Sequence, residues 1–168
     1  MIYVTSLARL HETVERSGAR HLVTLINEGS QVIRPAAIPQ KNHLFLGFND
    51  ITAPMDGMTL PAATHVDAFI SFLEEWDRAT PLVIHCFAGI SRSTAAGFIA
   101  ACALQPNRDE HEIAWEIRGA SPSATPNALL IKLADERLGR EGRMSAAAKA
   151  IGRGADAYEG EPFLIAID

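Results

Sequence analysis

Four side chains that can take part in phosphate chemistry lie within one short stretch of the chain: His85, Cys86, Arg92 and Ser93. The apolar run Leu82–Ile84 before them is typical of a buried parallel strand. The Ala-rich run 94–104 after them favours a helix. This order predicts that Cys86 ends a strand and that Arg92 lies in the first turn of the following helix.

The residues between the cysteine and the arginine form a short loop, which consists of Phe87, Ala88, Gly89, Ile90 and Ser91. A loop that leads into a helix start turns its backbone N–H groups toward one point, in front of the positive end of the helix dipole. Gly89 permits the tight curl where a Cβ would obstruct it. Arg92 can bind two phosphoryl oxygens through its planar guanidinium, and the same field stabilises a thiolate at Cys86. The stretch therefore predicts an anion-binding loop with a nucleophile at its base.

The pattern His85-Cys86-x5-Arg92-Ser93 resembles the HCx5R(S/T) signature of the cysteine-dependent protein tyrosine phosphatases. The glycine at the third loop position and the small size of the chain are similar to the dual-specificity branch. The resemblance implies an α/β fold, with a central, mostly parallel sheet flanked by helices and the site at the carboxyl ends of the strands. It also implies hydrolysis of phosphomonoesters through a phosphocysteine intermediate, with a tyrosine or dual-specificity protein phosphatase as the first expectation.

The same resemblance implies roles for the two remaining signature side chains. Ser93 is expected to donate a hydrogen bond to the sulfur and to help it leave, and His85 is expected to orient the loop without acting as the base. The phosphate-binding group comprises the loop from Phe87 to Ser91 together with Arg92. The implied chemistry requires no metal and no other cofactor.

The reaction also needs a carboxylic acid, because a leaving oxygen departs slowly unless a proton arrives with it. Asp50 is the second residue after the predicted strand 43–48, so a parallel sheet would bring it to the same edge as Cys86. The Asn49-Asp50 pair also resembles the acid loop of the family. Asp56 lies in a Met-Asp-Gly-Met turn, where aspartate is expected for turn geometry alone. Asp50 is therefore the preferred acid, and Asp56 is the alternative.

Periodicity and breakers predict the remaining elements. Strands are expected at 2–4, 21–26 and 43–48, and helices at 7–17, 61–77, 109–119 and 125–138. The family resemblance covers about residues 1–140, which we assign to a phosphatase-like catalytic domain. Residues 141–168 are assigned to a C-terminal extension with a short helix at 145–151. The apolar run 163–167 fits either an edge strand of the same sheet or a contact with a second chain.

Composition restricts the class of protein and its partners. The chain has 168 residues with 48 % hydrophobic and 21 % charged residues, which is ordinary for one globular domain. A net charge of −5 and a pI near 5.7 argue against binding nucleic acid or an anionic membrane as the main function. Two cysteines give no disulfide framework and suit the cytoplasm. The residues near the N-terminus contain no long apolar stretch, so neither a signal peptide nor a membrane span is expected.

The substrate class is the least determined feature. The loop from Phe87 to Ser91 carries no charge, whereas family members that act on inositol lipids resemble one another in having lysines there. A phosphorylated protein or a small phosphomonoester is therefore the expected substrate. Two alternatives remain: a phosphate-recognition module without turnover, and a phosphatase for a non-protein substrate such as an RNA 5′-phosphate or an inositol phosphate.

Overall fold

The structure is a computed structural model, and it describes residues 1–167. A five-stranded sheet forms its centre, in the spatial order β3-β2-β4-β1-β5. The strands are β1 (Ile2–Ser6), β2 (His21–Ile26), β3 (His43–Gly47), β4 (Leu82–Cys86) and β5 (Phe163–Ile165). The first four are mutually parallel, and β5 runs antiparallel to β1. The prediction of a central, mostly parallel sheet is confirmed.

Helices cover both faces of this sheet. They are α1 (Leu10–Ser17), α2 (Ala63–Glu75), α3 (Arg92–Leu104), α4 (Glu110–Ala120), α5 (Ala128–Arg137) and α6 (Arg143–Ile151). Leu10 and Val14 of α1 pack on one face against Leu22 and Val83, while the other helices build the larger core on the opposite face. α1 and α2 begin two or three residues later than predicted. At α2 this is because Ala62 is extended (φ −133°, ψ 161°) and gives its N–H to His65 Nδ1.

The strand register brings the reactive stretch to one edge of the sheet. Ser6 at the end of β1 lies opposite Cys86 at the end of β4, and Thr24 of β2 lies opposite His85. Because the four strands are parallel, the residues that follow them meet at this same edge. α3 packs closely over the sheet, since a Cβ added at Gly97 would lie 2.9 Å from Val4 Cγ2 and 2.8 Å from Ile165 Cδ1.

The C-terminal segment packs into the same core. Met144, Ala147 and Ile151 form the buried side of α6, which contacts α4 and α5. β5 pairs with β1 through Ile165 opposite Ile2, so the apolar run after Pro162 adds an edge strand to the sheet of its own chain. Within residues 1–167, the helices are too short or too polar to cross a lipid bilayer.

Candidate active site

The loop after Cys86 curls back so that a backbone N–H faces the sulfur. Gly89 adopts a φ of 73°, and its N–H lies 3.3 Å from Cys86 Sγ. A Cβ at this position would lie 2.9 Å from the backbone nitrogen of Ser6 and 3.0 Å from the carbonyl carbon of Thr5. Glycine is therefore required on two counts, the left-handed backbone and the contact with β1.

The sulfur has a second hydrogen-bond partner in Ser93. Its Oγ lies 3.1 Å from Cys86 Sγ, and both residues are almost fully buried. When the sulfur is a thiolate it can only accept, so the Ser93 hydroxyl and the Gly89 N–H both donate to it. Two such donors stabilise a negative charge on the sulfur.

Arg92 is held by one edge of its guanidinium. Nη1 donates to Asn27 Oδ1 and to the carbonyl oxygen of Phe48, each at 2.8 Å. The side chain is 6 % exposed, and its buried Nε has no hydrogen-bond partner among the described residues. A buried donor without an acceptor is costly. The free edge of Arg92 therefore fits an anion with two oxygens in the plane of the guanidinium.

The N-terminus of α3 also lacks its usual cap. Ser91 occupies the N-cap position, but its side chain makes no capping hydrogen bond. Instead, Ser91 Oγ donates to Asp50 Oδ1 at 2.7 Å. The first N–H groups of the helix have no intrahelical acceptor, so they remain available to an anion bound in the loop.

Asp50 lies beside this loop. Its Oδ1 accepts hydrogen bonds from Ser91 Oγ and from Asn127 Nδ2, the latter at 2.8 Å. Asn127 is buried and also caps α5, because its Oδ1 accepts from the N–H of Leu130 at 3.0 Å. Within residues 1–167, Oδ2 of Asp50 takes part in no hydrogen bond, and the residue is exposed, so this oxygen is accessible to a group bound beside the loop.

Asp56 occupies a different environment. It lies in an exposed turn in which the N–H of Met58 donates to the carbonyl of Met55 at 3.2 Å, with Gly57 at φ 73°. In the described part of the chain, Asp56 forms no hydrogen bond or ion pair with the loop. Of the two acids, Asp50 is therefore the one that contacts the loop following Cys86.

His85 is fully buried behind the loop and connects to a chain of hydrogen bonds. Its Nδ1 lies 3.2 Å from the carbonyl oxygen of Cys86, and its Nε2 lies 2.8 Å from Thr24 Oγ1. Thr24 Oγ1 in turn lies 2.8 Å from His43 Nε2. Burial lowers the pKa of His85 to about 4, so the ring is neutral near pH 7, with Nδ1 donating and Nε2 accepting. This arrangement supports an orienting role for His85.

The lowered pKa of His85 predicts a loss of stability in acid. In the unfolded chain, His85 has its ordinary pKa of 6.5 and binds a proton below that pH. In the folded chain the ring stays neutral down to about pH 4. The contribution of His85 to the free energy of unfolding is therefore fully present above pH 6.5. It falls by roughly 3 kcal/mol as the pH decreases from 6.5 to about 4. In the variant His85→Asn, the free energy of unfolding should therefore change less with pH. Urea unfolding of the variant and the wild type at about pH 7 and about pH 4.5 measures this difference. Equal pH dependence in the variant and the wild type would contradict the assignment. His21, His43 and His65, whose pKa values are also lowered by burial, contribute to the slope that remains in the variant.

The second cysteine, Cys102, lies in the core of the protein. Cys102 is 1 % exposed on α3, and burial raises the pKa of its thiol to about 12. It therefore remains a thiol at neutral pH and packs as a small core residue.

Several residues of the site were not identified from the sequence. Arg92 donates to Asn27 and to the carbonyl of Phe48. Asp50 accepts from Asn127. The hydrogen-bond chain of His85 continues through Thr24 and His43. Asn27 and Phe48 follow or end parallel strands, so the edge argument that selected Asp50 would also have selected them. Asn127 caps α5 in the structure, and a residue type that caps helices says nothing about an acid far away in the chain.

Comparisons with known proteins agree with this geometry. A family profile described as "Polymorphic toxin system, DSP-PTPase phosphatase" matches residues 3–106, more than half of the chain. No curated protein sequence matches. The structure of human DUSP28 is similar with 18 % identity, a TM-score of 0.63, and coverage of 83 % of this chain and 89 % of that chain.

Two further solved structures share the fold. A mouse putative dual specificity phosphatase complexed with zinc tungstate has 17 % identity, a TM-score of 0.63, and coverage of 87 % of this chain and 86 % of that chain. PTPMT1 in complex with PI(5)P has 16 % identity, a TM-score of 0.61, and coverage of 88 % and 94 %. At such identities these likenesses establish the α/β fold, and the family profile establishes the class of enzyme. The chain belongs to the DSP-PTPase phosphatase family of polymorphic toxin systems and is a protein-tyrosine-phosphatase-like hydrolase.

Proposed function

We propose that this protein hydrolyses phosphomonoesters through a phosphocysteine on Cys86, with phosphorylated tyrosine, serine or threonine of a protein as the substrate. The observation that carries the proposal is the buried Nε edge of Arg92 at the start of α3, which has no hydrogen-bond partner within residues 1–167 and lies beside the loop that turns an N–H toward the Cys86 sulfur. A tetrahedral phosphoryl group supplies the acceptors that this edge lacks. The other donors are the N–H groups of the loop from Phe87 to Arg92.

In the first step the Cys86 thiolate attacks phosphorus. The S–P bond forms as the bond from phosphorus to the leaving oxygen breaks, and Asp50 transfers its proton to that oxygen. Arg92 and the loop N–H groups bind the equatorial oxygens, on which charge accumulates in the transition state. The products are a phosphocysteine, a deprotonated Asp50 and the free alcohol or phenol.

In the second step water hydrolyses the phosphocysteine. Asp50 removes a proton from the water as its oxygen bonds to phosphorus, and the S–P bond breaks to release inorganic phosphate. The electron pair returns to sulfur, where the Ser93 hydroxyl at 3.1 Å stabilises the thiolate as it leaves. Asp50 finishes the cycle protonated, ready for the next substrate.

Replacing the proposed acid separates the two candidate aspartates. Asp50→Ala should lower kcat for an aryl phosphate by about 10²–10³-fold, because the leaving oxygen then departs without a proton. Asp56→Ala is the matched control and should stay within about threefold of the wild type. Steady-state kinetics near neutral pH measure both. A severe defect in Asp56→Ala beside a nearly normal Asp50→Ala would transfer the acid role to Asp56.

The uncharged loop lining supports a substrate with a single phosphate on a protein side chain. Phe87 is 66 % exposed in this loop, so an apolar surface stands next to the phosphate site. An inositol phosphate or RNA 5′-phosphate has further negative groups, and the loop offers them no lysine or arginine other than Arg92. PTPMT1, which was crystallised with PI(5)P, shares the fold. Non-protein substrates are therefore included in the test below.

Phosphate release from four substrates tests the proposal. The panel contains phosphotyrosine and phosphothreonine peptides of equal charge, phosphatidylinositol 5-phosphate and a 5′-phosphorylated oligonucleotide. We expect the highest kcat/KM with one of the two peptides. Faster turnover of the lipid or oligonucleotide would favour the non-protein alternative, and binding of phosphopeptide without release would favour the recognition module.

The remaining assignments follow the same proposal. We assign catalysis to residues 1–140 and treat 141–168 as a C-terminal extension that braces this unit. Two free thiols at Cys86 and Cys102 suit a cytoplasmic location. A net charge of −5 argues against nucleic acid and anionic membranes as partners, so the phosphorylated substrate is the expected partner.

A further inference from the structure

The C-terminal segment crosses the outer side of the phosphate-binding loop. We call residues 152–162, between α6 and β5, the strap. The N–H of Gly160 in the strap donates to the carbonyl oxygen of Ala88 at 2.9 Å. The N–H of the same peptide unit belongs to Gly89 and points to Cys86 Sγ at 3.3 Å. One peptide group of the loop is thus held by the strap on its carbonyl side and faces the sulfur on its N–H side.

The approach between strap and loop requires glycine at position 160. A Cβ there would lie 2.6 Å from the carbonyl oxygen of Gly89, closer than real Cβ contacts allow. Gly160 is buried, although Tyr158 beside it is fully exposed. The requirement is therefore local to the contact with the loop.

The strap is fixed on both sides of this contact. Before it, the N–H of Ala155 donates to the carbonyl of Pro122 at 2.9 Å. Around it, Arg9 pairs with Glu159 at 3.7 Å and with Glu161 at 3.2 Å, and Ser6 Oγ donates to Glu159. After it, β5 pairs with β1. Gly160 is consequently held in place independently of the loop that it touches.

We propose that Gly160 is a positioning residue for the phosphatase reaction, and that it acts by fixing the orientation of the Ala88–Gly89 peptide. The inference rests on the proposed function. The N–H and C=O of a planar trans peptide point in opposite directions. Because the Ala88 carbonyl is hydrogen-bonded to Gly160 on the outer side of the loop, the Gly89 N–H stays turned toward the Cys86 sulfur. If this peptide rotated, its carbonyl oxygen would face the thiolate and the phosphoryl oxygens and would repel both. The strap thereby contributes to the catalytic loop from outside the segment matched by the family profile.

Substitution of Gly160 tests this role. Gly160→Ala should lower kcat for an aryl phosphate at least about tenfold and weaken binding of tungstate at least about threefold, because an inward N–H donor is displaced. Gly119→Ala is the matched control, because Gly119 is exposed near the end of α4 and a Cβ there meets no described residue within 4 Å. A folded Gly160→Ala that equals Gly119→Ala within about twofold in both quantities overturns the proposal.

Tungstate binding by calorimetry distinguishes positioning from general destabilisation. A variant that is merely partly unfolded loses apparent kcat in proportion to its folded fraction, while its folded molecules keep the wild-type KM and tungstate affinity. A reoriented peptide changes kcat and tungstate affinity in the folded molecules. Loss of kcat alone, matching the unfolded fraction in circular dichroism, would refute the proposal.

A second variant decides the matter if Gly160→Ala does not fold. The double variant Ser6→Ala, Arg9→Gln releases Glu159 and Glu161 while leaving Gly160 unchanged, and Arg9 is 40 % exposed. Here kcat and tungstate affinity should fall together by about two- to fivefold. Arg16→Gln, which breaks the exposed Arg16–Glu12 pair on α1, is its control. No difference between these two variants overturns the role of the strap.

The two proposals fail in different ways. A wild-type protein that binds tungstate but releases no phosphate from an aryl phosphate refutes the proposed function. The comparison of tungstate affinity between Gly160→Ala and Gly119→Ala still tests the positioning role in that case.

Discussion

Cys86→Ser is expected to reduce hydrolysis of an aryl phosphate by about 10⁴-fold or more, a change of about 5.5 kcal/mol in the activation free energy. The serine hydroxyl is not ionised near neutral pH, so the nucleophile is lost although the loop keeps its N–H donors. Tungstate affinity should stay within about tenfold of the wild type, because Arg92 and the helix N-terminus still bind an anion. Steady-state kinetics and calorimetry measure the two effects separately.

The Cys86→Ser result separates covalent from direct hydrolysis. Cys102→Ser is the matched control, since Cys102 is a buried thiol on the same strand–helix unit. It should keep kcat within about threefold, apart from any effect on stability. Substantial activity in Cys86→Ser would sink the covalent mechanism, because water would then attack phosphorus directly.

Arg92→Lys is expected to lower kcat/KM by about 10²–10³-fold, although the positive charge is retained. The guanidinium of Arg92 donates through Nη1 to Asn27 and to the carbonyl of Phe48, and its other edge faces the phosphate site. The ammonium of a lysine cannot make both sets of contacts. Part of the loss should appear as weaker tungstate binding. The measurement is the full dependence of rate on substrate concentration, so that kcat and KM are obtained separately.

Asn27→Ala is a useful partner for the Arg92 experiment. It removes one of the two anchors of Nη1, so it should reproduce a small part of the Arg92→Lys defect, about three- to tenfold in kcat/KM. Activity in Arg92→Lys within about threefold of the wild type would show that charge alone binds the phosphoryl group. The bidentate geometry would then be irrelevant to catalysis.

The sequence predicted those parts of the molecule that depend on local pattern. The apolar run before Cys86, the Ala-rich run after Arg92 and the parallel-sheet edge argument for Asp50 all correspond to the structure. Each of these inferences needed only the order of residues within one strand–loop–helix unit, or the rule that carboxyl ends of parallel strands meet. The family profile confirms the class of enzyme, and the similar solved structures confirm the fold.

The contacts made across long sequence separations were not predictable. Asn127 reaches Asp50 from a helix cap, and Gly160 reaches Ala88 from the far end of the chain. Neither residue has a local pattern that names its partner, because a helix cap and a glycine turn occur for many reasons. Whether the run 163–167 pairs within the chain was likewise left open by the sequence, and the register of β5 on β1 decides it.

The most direct test of the account is to trap the intermediate on Cys86. Asp50→Ala should be mixed with an aryl phosphate and quenched in acid within the first turnover, because loss of the general base slows hydrolysis of the phosphocysteine. An aryl phosphate with a good leaving group keeps the first step fast in this variant. We predict one added phosphoryl group on the peptide containing Cys86, absent in the Asp50→Ala, Cys86→Ser double variant. Phosphate release without any such adduct, or an adduct on another residue, would contradict the mechanism.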